Sequence, residues 1–273
     1  MEKEEIELDL LLTAVYRLTG YDFRQYMRSS LMRRVQNRLS REKLLTITAL
    51  TEKIIYDEQV LHKLLRDFSI NVTEMFRDPS FFKAFREEVV PILRKLPEIR
   101  VWHAGCSTGE EAYSMAILLE EEGLAHKTKI YATDMNDVVL EKAAGGVIPL
   151  PKMQAYTKNY LAAGGKRSFS EYYTADSNGA VLHETLLKNI VFAQHNLVTD
   201  RSFNEFHVII CRNVLIYFNL ELQQQVYNLF NESLSAGGFL GLGSKETIRS
   251  DSVYFENFNT QEKLFRKKSS VPY

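Results

Sequence analysis

Residues 105–111 read Gly-Cys-Ser-Thr-Gly-Glu-Glu, after an apolar run and before a helix-forming stretch. A glycine turn so placed ordinarily offers free backbone N–H groups to an anion. Here Glu110 and Glu111 already occupy that position. The glycines Gly105 and Gly109 are spaced G-x-x-x-G, which is not the dinucleotide fingerprint G-x-G-x-x-G, and the lysine of a phosphate loop is missing. The next apolar run, Tyr-Ala-Thr-Asp, ends in Asp134, and an acid there commonly holds both hydroxyls of a ribose. Acids are favoured in the first turn of a helix, so the glutamates partly satisfy the site that a pyrophosphate would use and repel a second anion. A ligand with a ribose, no phosphate and a positive charge fits better, and S-adenosylmethionine has all three. The plainer alternative is that the two glutamates only cap their helix.

Strands and helices must hold such a turn, and the sequence supplies them. From Ile99 onward, short apolar runs alternate with helical stretches: IRVWHAG, a helix from Glu110 to Glu122, KIYATD, a helix from Asn136, NIVFAQHNL, FHVIICRN, LELQQQVYNLFNESL and GGFLGLG. This is the pattern of a βαβ sheet covered on both faces, with ligands at the carboxyl ends of its strands. The alternation fails between residues 146 and 188, where paired runs flank Asn178-Gly179 and predict a hairpin within a small β insert. Upstream, Leu8, Leu11, Leu12, Val15 and Leu18, then Leu31, Val35 and Leu39, then Ile54, Ile55, Leu61, Leu64, Leu65 and Phe68 recur at helical spacing. The expected division is a helical domain over residues 1–85 and an α/β domain over 86–273, with the β insert at about 147–188.

The 273 residues are 45% hydrophobic and 25% charged, enough for a large domain with a smaller companion. Lys and Arg number 34 against 35 Asp and Glu, which gives no reason to expect nucleic acid as a partner. The only cysteines are Cys106 and Cys211, and no apolar run approaches 18 residues. These features predict a reduced, cytoplasmic protein without stable membrane insertion. Buried cysteines at strand ends are ordinarily packing residues, and neither has an evident paired base. The six histidines, at 62, 103, 126, 183, 195 and 207, lack ligand spacing, so no metal site is expected.

The stretches NVTEMFRD, VWHAGCSTGEEAYS, YATD, QHNL and CRNVLIYF, in this order, resemble the CheR family, chemotaxis methyltransferases that transfer methyl groups from S-adenosylmethionine to glutamates of chemoreceptors. The likeness spans nearly the whole chain. It implies a Rossmann-like class I S-adenosylmethionine-dependent methyltransferase domain carrying a helical N-terminal domain and a small β insert, with S-adenosylhomocysteine as product. It further implies that Asn71, Thr73 and Arg77 close over the cofactor. Family members carry two phenylalanines before this arginine, whereas this chain has Met75 and Phe76. The glycine turn at Gly105 would wrap the methionine part, with Glu110 or Glu111 facing it and Asp134 on the ribose. Asn196 and Leu197 would lie beside the adenine, and Arg212, Asn213 and Val214 below the sulfonium. Arg77 and Tyr217 would orient the incoming carboxylate. Each has a duller role open to it: Asn71 as a helix cap, Arg77 in a helix-start ion pair, Tyr217 as core filling.

Such a reaction joins an anion and a cation into two neutral groups, so alignment and exclusion of water matter more than a base. A glutamate, with a pKa of about 4.3, is already ionised at neutral pH. The segment 24–43 holds Arg24, Arg28, Arg33, Arg34, Arg38, Arg41 and Lys43 against the single acid Glu42. Arg34 and Arg38 share a helix face. A solvated face is the simple reading, while the resemblance implies that Arg33, Arg34 and Arg38 bind an acidic substrate, the cytoplasmic domain of a chemoreceptor or another signalling protein. Family members that tether a receptor peptide on the insert carry a glycine-rich loop there. This chain has the short turn DSNGA, so direct recognition of the partner is expected instead. Two other readings compete: a non-catalytic module that senses the cofactor or docks on receptors, and an NAD-dependent oxidoreductase.

Overall fold

The computed structural model describes residues 2–69, 72–177, 179–248 and 252–269. The chain forms two compact units, residues 1–70 with 216–226 and residues 71–215 with 227–273.

The first unit is helical: α1 (Glu2–Thr19), α2 (Arg28–Glu42), α3 (Ile47–Tyr56) and α4 (Glu58–Phe68). Leu8, Leu11, Leu12 and Val15 form the buried stripe of α1, the spacing expected of an amphipathic helix. Thr46 caps α3 by accepting the Ala49 N–H, and Asp57 caps α4 by accepting those of Gln59 and Val60, which satisfies donors that the first turn leaves open. Residues 216–226 belong to this unit: Met27 donates its N–H to the Tyr217 carbonyl at 2.7 Å. Phe23, Tyr26, Phe68 and Phe218 pack edge to face. The helical unit therefore ends earlier than the expected residue 85. Phe81 and Phe82 are buried in the core of the second unit instead.

The second unit begins with a helical stretch, α5 (Pro79–Ala84), a π turn (Phe85–Val89) and α6 (Val90–Leu93). Its sheet alternates as the sequence predicts: β1 (Ile99–Ala104), α7 (Glu110–Glu121), β2 (Thr128–Asp134) and α8 (Asp137–Gly145). The insert follows, with β3 (Val147–Ile148), α9 (Leu150–Ala162), β4 (Tyr173–Ala175), β5 (Ala180–Leu182) and α10 (Glu184–Leu187). The chain then returns to the sheet through β6 (Ile190–Gln194), β7 (Phe206–Cys211), α11 (Leu220–Ser233), β8 (Leu234–Leu242), β9 (Phe255–Asn259) and β10 (Leu264–Lys267). Helix α11 crosses from the first unit into the second after Val226.

Among the described residues the main sheet runs β6-β2-β1-β7-β8-β10-β9. The first five strands are parallel, and β10 pairs antiparallel with both β8 and β9, so β10 alone of the seven runs the opposite way. The order reverses between β1 and β7, so the loops after these two strands flank the crevice where doubly wound sheets bind ligands. The insert forms a separate sheet, β3-β5-β4, with the expected hairpin pairing Thr174 with Val181; Asn178 in its turn lies outside the described residues. The insert is not purely β, because α9 occupies its first half. Pro151 sits within the first turn, where its missing N–H costs nothing, and Met153, Tyr156 and Tyr160 form the buried side of the helix.

Candidate active site

The turn after β1 is shaped by strained and glycine positions. Gly105 has φ +78°, and a Cβ there would lie 2.6 Å from Val214 Cγ2; Gly109 has φ +90°, and a Cβ would lie 2.8 Å from the Tyr113 ring. Neither position admits a side chain, which accounts for the G-x-x-x-G spacing. The N–H groups of Gly105 and Cys106 both donate to the Thr133 carbonyl at 2.8 Å, stitching the turn to the end of β2. Asp134, the last residue of β2, accepts the Ser107 N–H on one oxygen at 2.9 Å and the Asn136 N–H on the other at 3.0 Å. The Met135 N–H also donates to this carboxylate, whose remaining acceptor capacity is open to a further donor. Burial pushes the Asp134 carboxyl above its usual range, against the opposing pull of these backbone N–H groups.

Glu110 and Glu111 are adjacent in sequence but differently engaged. Glu111 accepts from Arg212 at 2.8 Å and lies 3.3 Å from His103 Nδ1. Burial raises its carboxyl, but Arg212 and His103 outweigh that and hold it low. Arg212 also donates to Asp78 at 2.6 Å and to the Arg77 carbonyl at 3.1 Å, and its guanidinium lies 4.3 Å from the Phe81 ring centroid. Arg212, expected among the cofactor residues, thus spends its charge on Glu111 and Asp78. Glu110 is buried, takes the Thr108 hydroxyl at 2.6 Å and stands 3.5 Å from the half-exposed Lys152 ammonium.

The loop after β7 is fixed by Glu246, which the sequence did not single out. Glu246 accepts the N–H groups of Asn213, Leu215 and Gly243 at 2.9, 2.7 and 2.6 Å. It holds Asn213 at φ +62°, a conformation that asparagine tolerates better than most residues. Ser107 Oγ, Asn213 Oδ1 and His195 Nδ1 are buried and have no hydrogen-bond partner among the described residues. Two of these atoms, Ser107 Oγ and Asn213 Oδ1, sit on the two loops of the switch point. A polar ligand satisfies such atoms. Together with the open acceptor positions of Asp134 and the acid Glu110, they suit a sugar diol and a cation. No described backbone cradle for a pyrophosphate accompanies them, since α7 starts with the two glutamates.

Of the other expected cofactor residues, Asn71 lies outside the described residues. Thr73 presents its carbonyl to the Tyr156 hydroxyl at 3.5 Å, and Arg77 donates to the Val72 carbonyl at 3.4 Å. Asn196 caps the turn after β6, its Oδ1 accepting the Val198 N–H at 3.0 Å, and Leu197 follows half-buried. Val214 packs against Gly105. Tyr217 lies in the helical unit, with the Arg34 guanidinium 5.2 Å from its ring centroid. His103 and His195 each pair one ring nitrogen and leave the other without a partner among the described residues. Burial pushes the thiols of Cys106 and Cys211 well up, which keeps both protonated and unsuited to nucleophilic attack.

The basic helix departs from expectation. Leu31, Arg34, Val35 and Arg38 form the buried face of α2. Arg34 donates to the Phe68 carbonyl at 2.5 Å and Arg38 to Asp67 at 2.7 Å, so both cap or brace α4 inside the helical unit instead of meeting a substrate. Arg33 is exposed. Arg34→Ala should cost the unit about 1–3 kcal/mol by orphaning the α4 carbonyls, visible in urea unfolding. Arg33→Glu should leave that transition in place.

Among the described residues no helix is long and apolar enough to cross a membrane. Family models match the chain in two stretches: residues 6–69 fit the CheR methyltransferase all-alpha domain and residues 71–264 the CheR methyltransferase SAM binding domain. A Pseudomonas putida protein named as methyltransferase Cher3 is 48% identical over 96% of this chain and 97% of its own length. A chemotaxis protein methyltransferase of Listeria monocytogenes is 31% identical over 92% of this chain and 94% of its own. Chemotaxis protein methyltransferase 1 of Pseudomonas aeruginosa is 26% identical over 82% and 83%. With both domain models matched in order over a crevice suited to an adenosyl sulfonium, the chain belongs to the CheR family of S-adenosylmethionine-dependent methyltransferases.

Proposed function

We propose that this methyltransferase modifies glutamate side chains on the cytoplasmic domain of a chemoreceptor or a related signalling protein. The observation that carries the reading is the acidic strand-end region at the β1/β7 switch point, with Asp134 tied to the Ser107 N–H, Glu110 to Thr108, and Ser107 Oγ and Asn213 Oδ1 buried without a partner among the described residues. Bound S-adenosylmethionine supplies a sulfonium methyl as the electrophile. Asp134 takes the ribose hydroxyls on its open acceptor positions. Glu110 takes the methionine ammonium, exchanging it for Lys152, because Glu111 is committed to Arg212 and His103. Asn71, Thr73 and Arg77 of the linker would cover the cofactor, Asn196 and Leu197 would hold its adenine, and the backbone of Arg212, Asn213 and Val214 would hold its sulfonium end.

A substrate glutamate arrives ionised, so the protein has to align it and keep water out. Arg77 and Tyr217 do the aligning, and Arg33 contributes long-range attraction to an acidic receptor. The test is transfer of a radiolabelled methyl group into a purified receptor cytoplasmic domain, followed by alkali. Label released as methanol identifies a carboxyl ester; label that survives alkali sinks the glutamate assignment. Arg77→Ala and Tyr217→Phe should each lower kcat by about 10²-fold, the order of a misaligned reactant, with S-adenosylhomocysteine affinity kept within a few-fold. Full turnover in both variants would remove these two residues from the reaction. Calorimetry with NAD in place of S-adenosylhomocysteine should show no heat of binding.

A further inference from the structure

Helix α9 of the insert presents one face to the linker that carries Arg77. Lys152, Tyr156, Asn159 and Tyr160 recur at i, i+4, i+7 and i+8, the spacing of a single helical stripe. Asn159 Nδ2 donates to the Met75 carbonyl at 3.1 Å, and the Tyr156 hydroxyl reaches the Thr73 carbonyl at 3.5 Å. The Tyr160 ring packs edge to face on Phe76, with centroids 5.3 Å apart. Tyr160 is itself anchored, since its hydroxyl donates to Glu121 near the end of α7.

The linker needs this support. Phe76 and Asp78, on either side of Arg77, have φ of 51° and 53°, a region that non-glycine residues occupy only when their surroundings over-determine it. Four contacts do so. Ser114 Oγ accepts the Phe76 N–H at 2.8 Å, Arg212 holds the Arg77 carbonyl and the Asp78 carboxylate, and Asn159 holds the Met75 carbonyl. Ser114 and Arg212 come from the elements that form the cofactor turn and the loop after β7. Asn159 alone among these comes from the insert.

We infer that the insert is part of the catalytic apparatus, with Asn159 of α9 as a positioning residue that sets the backbone from which Arg77 projects. This rests on the proposed role of Arg77. Asn159→Ala frees the Met75 carbonyl and lets the strained pair relax, which moves Arg77 without touching Asp134 or Glu110. Asn159→Asp keeps the shape and removes the donor.

The experiment measures kcat on a receptor domain, S-adenosylhomocysteine affinity and thermal unfolding for Asn159→Ala, Asn159→Asp, Arg77→Ala and the double variant Arg77→Ala/Asn159→Ala. Both Asn159 variants should lose about tenfold in kcat, a fraction of the effect of gross misplacement, with affinity kept within about threefold. The double variant should be no slower than Arg77→Ala, because the two residues act through one group. Wild-type kcat in Asn159→Asp overturns the inference, and so does a loss that multiplies with that of Arg77→Ala. If Asn159→Ala unfolds, Asn159→Asp and its double with Arg77→Ala decide in the same way. Full turnover in Arg77→Ala overturns the role of Arg77 itself, an outcome distinct from a slow Arg77→Ala beside unaffected Asn159 variants.

Discussion

Replacing Arg212 by methionine should destabilise the second unit by about 3–5 kcal/mol at neutral pH, the cost of breaking a buried ion pair from one side. Methionine keeps much of the packing against Phe81, so the loss reports mainly on charge. In the wild type Arg212 is 1% exposed and answers Glu111, 16% exposed, and Asp78, 40% exposed. Asp78 can recover water, whereas Glu111 cannot. The effect should depend on pH with a definite sign. Glu111 sits below its usual pKa of 4.5 because Arg212 and His103 outweigh burial. A depressed carboxylate contributes stability at neutral pH that is lost only as pH falls through the depressed value. Without Arg212, burial pushes Glu111 upward, and the variant is relieved as that carboxyl protonates at a higher pH. The gap between the two proteins should therefore be widest near neutrality and narrow on acidification, as read by urea midpoints across the acid range. A gap constant with pH would assign the loss to packing against Phe81.

The same cluster shows why part of the site was legible and part was not. Gly105, Gly109 and Asp134 stand out because a glycine turn between an apolar run and a helix, followed by an acid ending the next run, has few other uses. The parallel strands and α7 follow from that alternation. Glu246 has no such signature. It lies 33 residues from Asn213 in sequence, amid GLGSKETI, and only the tertiary fold brings its carboxylate under three N–H groups. Arg34 and Arg38 were misread for a related reason. Charges four apart suggest a solvated stripe, yet Leu31, Arg34, Val35 and Arg38 also follow the i, i+3, i+4, i+7 spacing of a buried face. The carbonyls of α4 that accept them come from 25 and 34 residues away. Helix α9 was hidden by Pro149 and Pro151, which read as loop punctuation but occupy positions a helix start tolerates.

Asp134→Asn should weaken S-adenosylhomocysteine binding by about 10²-fold, the equivalent of losing roughly 3 kcal/mol of charge-assisted hydrogen bonding. The carboxylate already receives the backbone N–H groups of Ser107, Asn136 and Met135. An asparagine must turn its amide N–H groups toward one of these donors and also loses the charge that two ribose hydroxyls would meet. The wild-type protein should show a matching pH dependence. Burial lifts the folded-state pKa of Asp134 above the usual 3.8, so the ionised group opposes folding at neutral pH, and that cost is withdrawn as pH falls through the raised value. A diol that donates to the ionised form pulls the pKa back down. Binding then requires release of a proton in the acid range, and affinity should fall progressively as pH drops below the free-state pKa. Calorimetry over a pH series, in two buffers of different ionisation enthalpy, reads both the affinity and the proton count. The Asp134→Asn protein should give a flat profile where the wild type slopes. Equal affinity in the two proteins, or a wild-type profile without slope, would mean that the ribose is held elsewhere and that Asp134 serves only to tie Ser107 to Asn136.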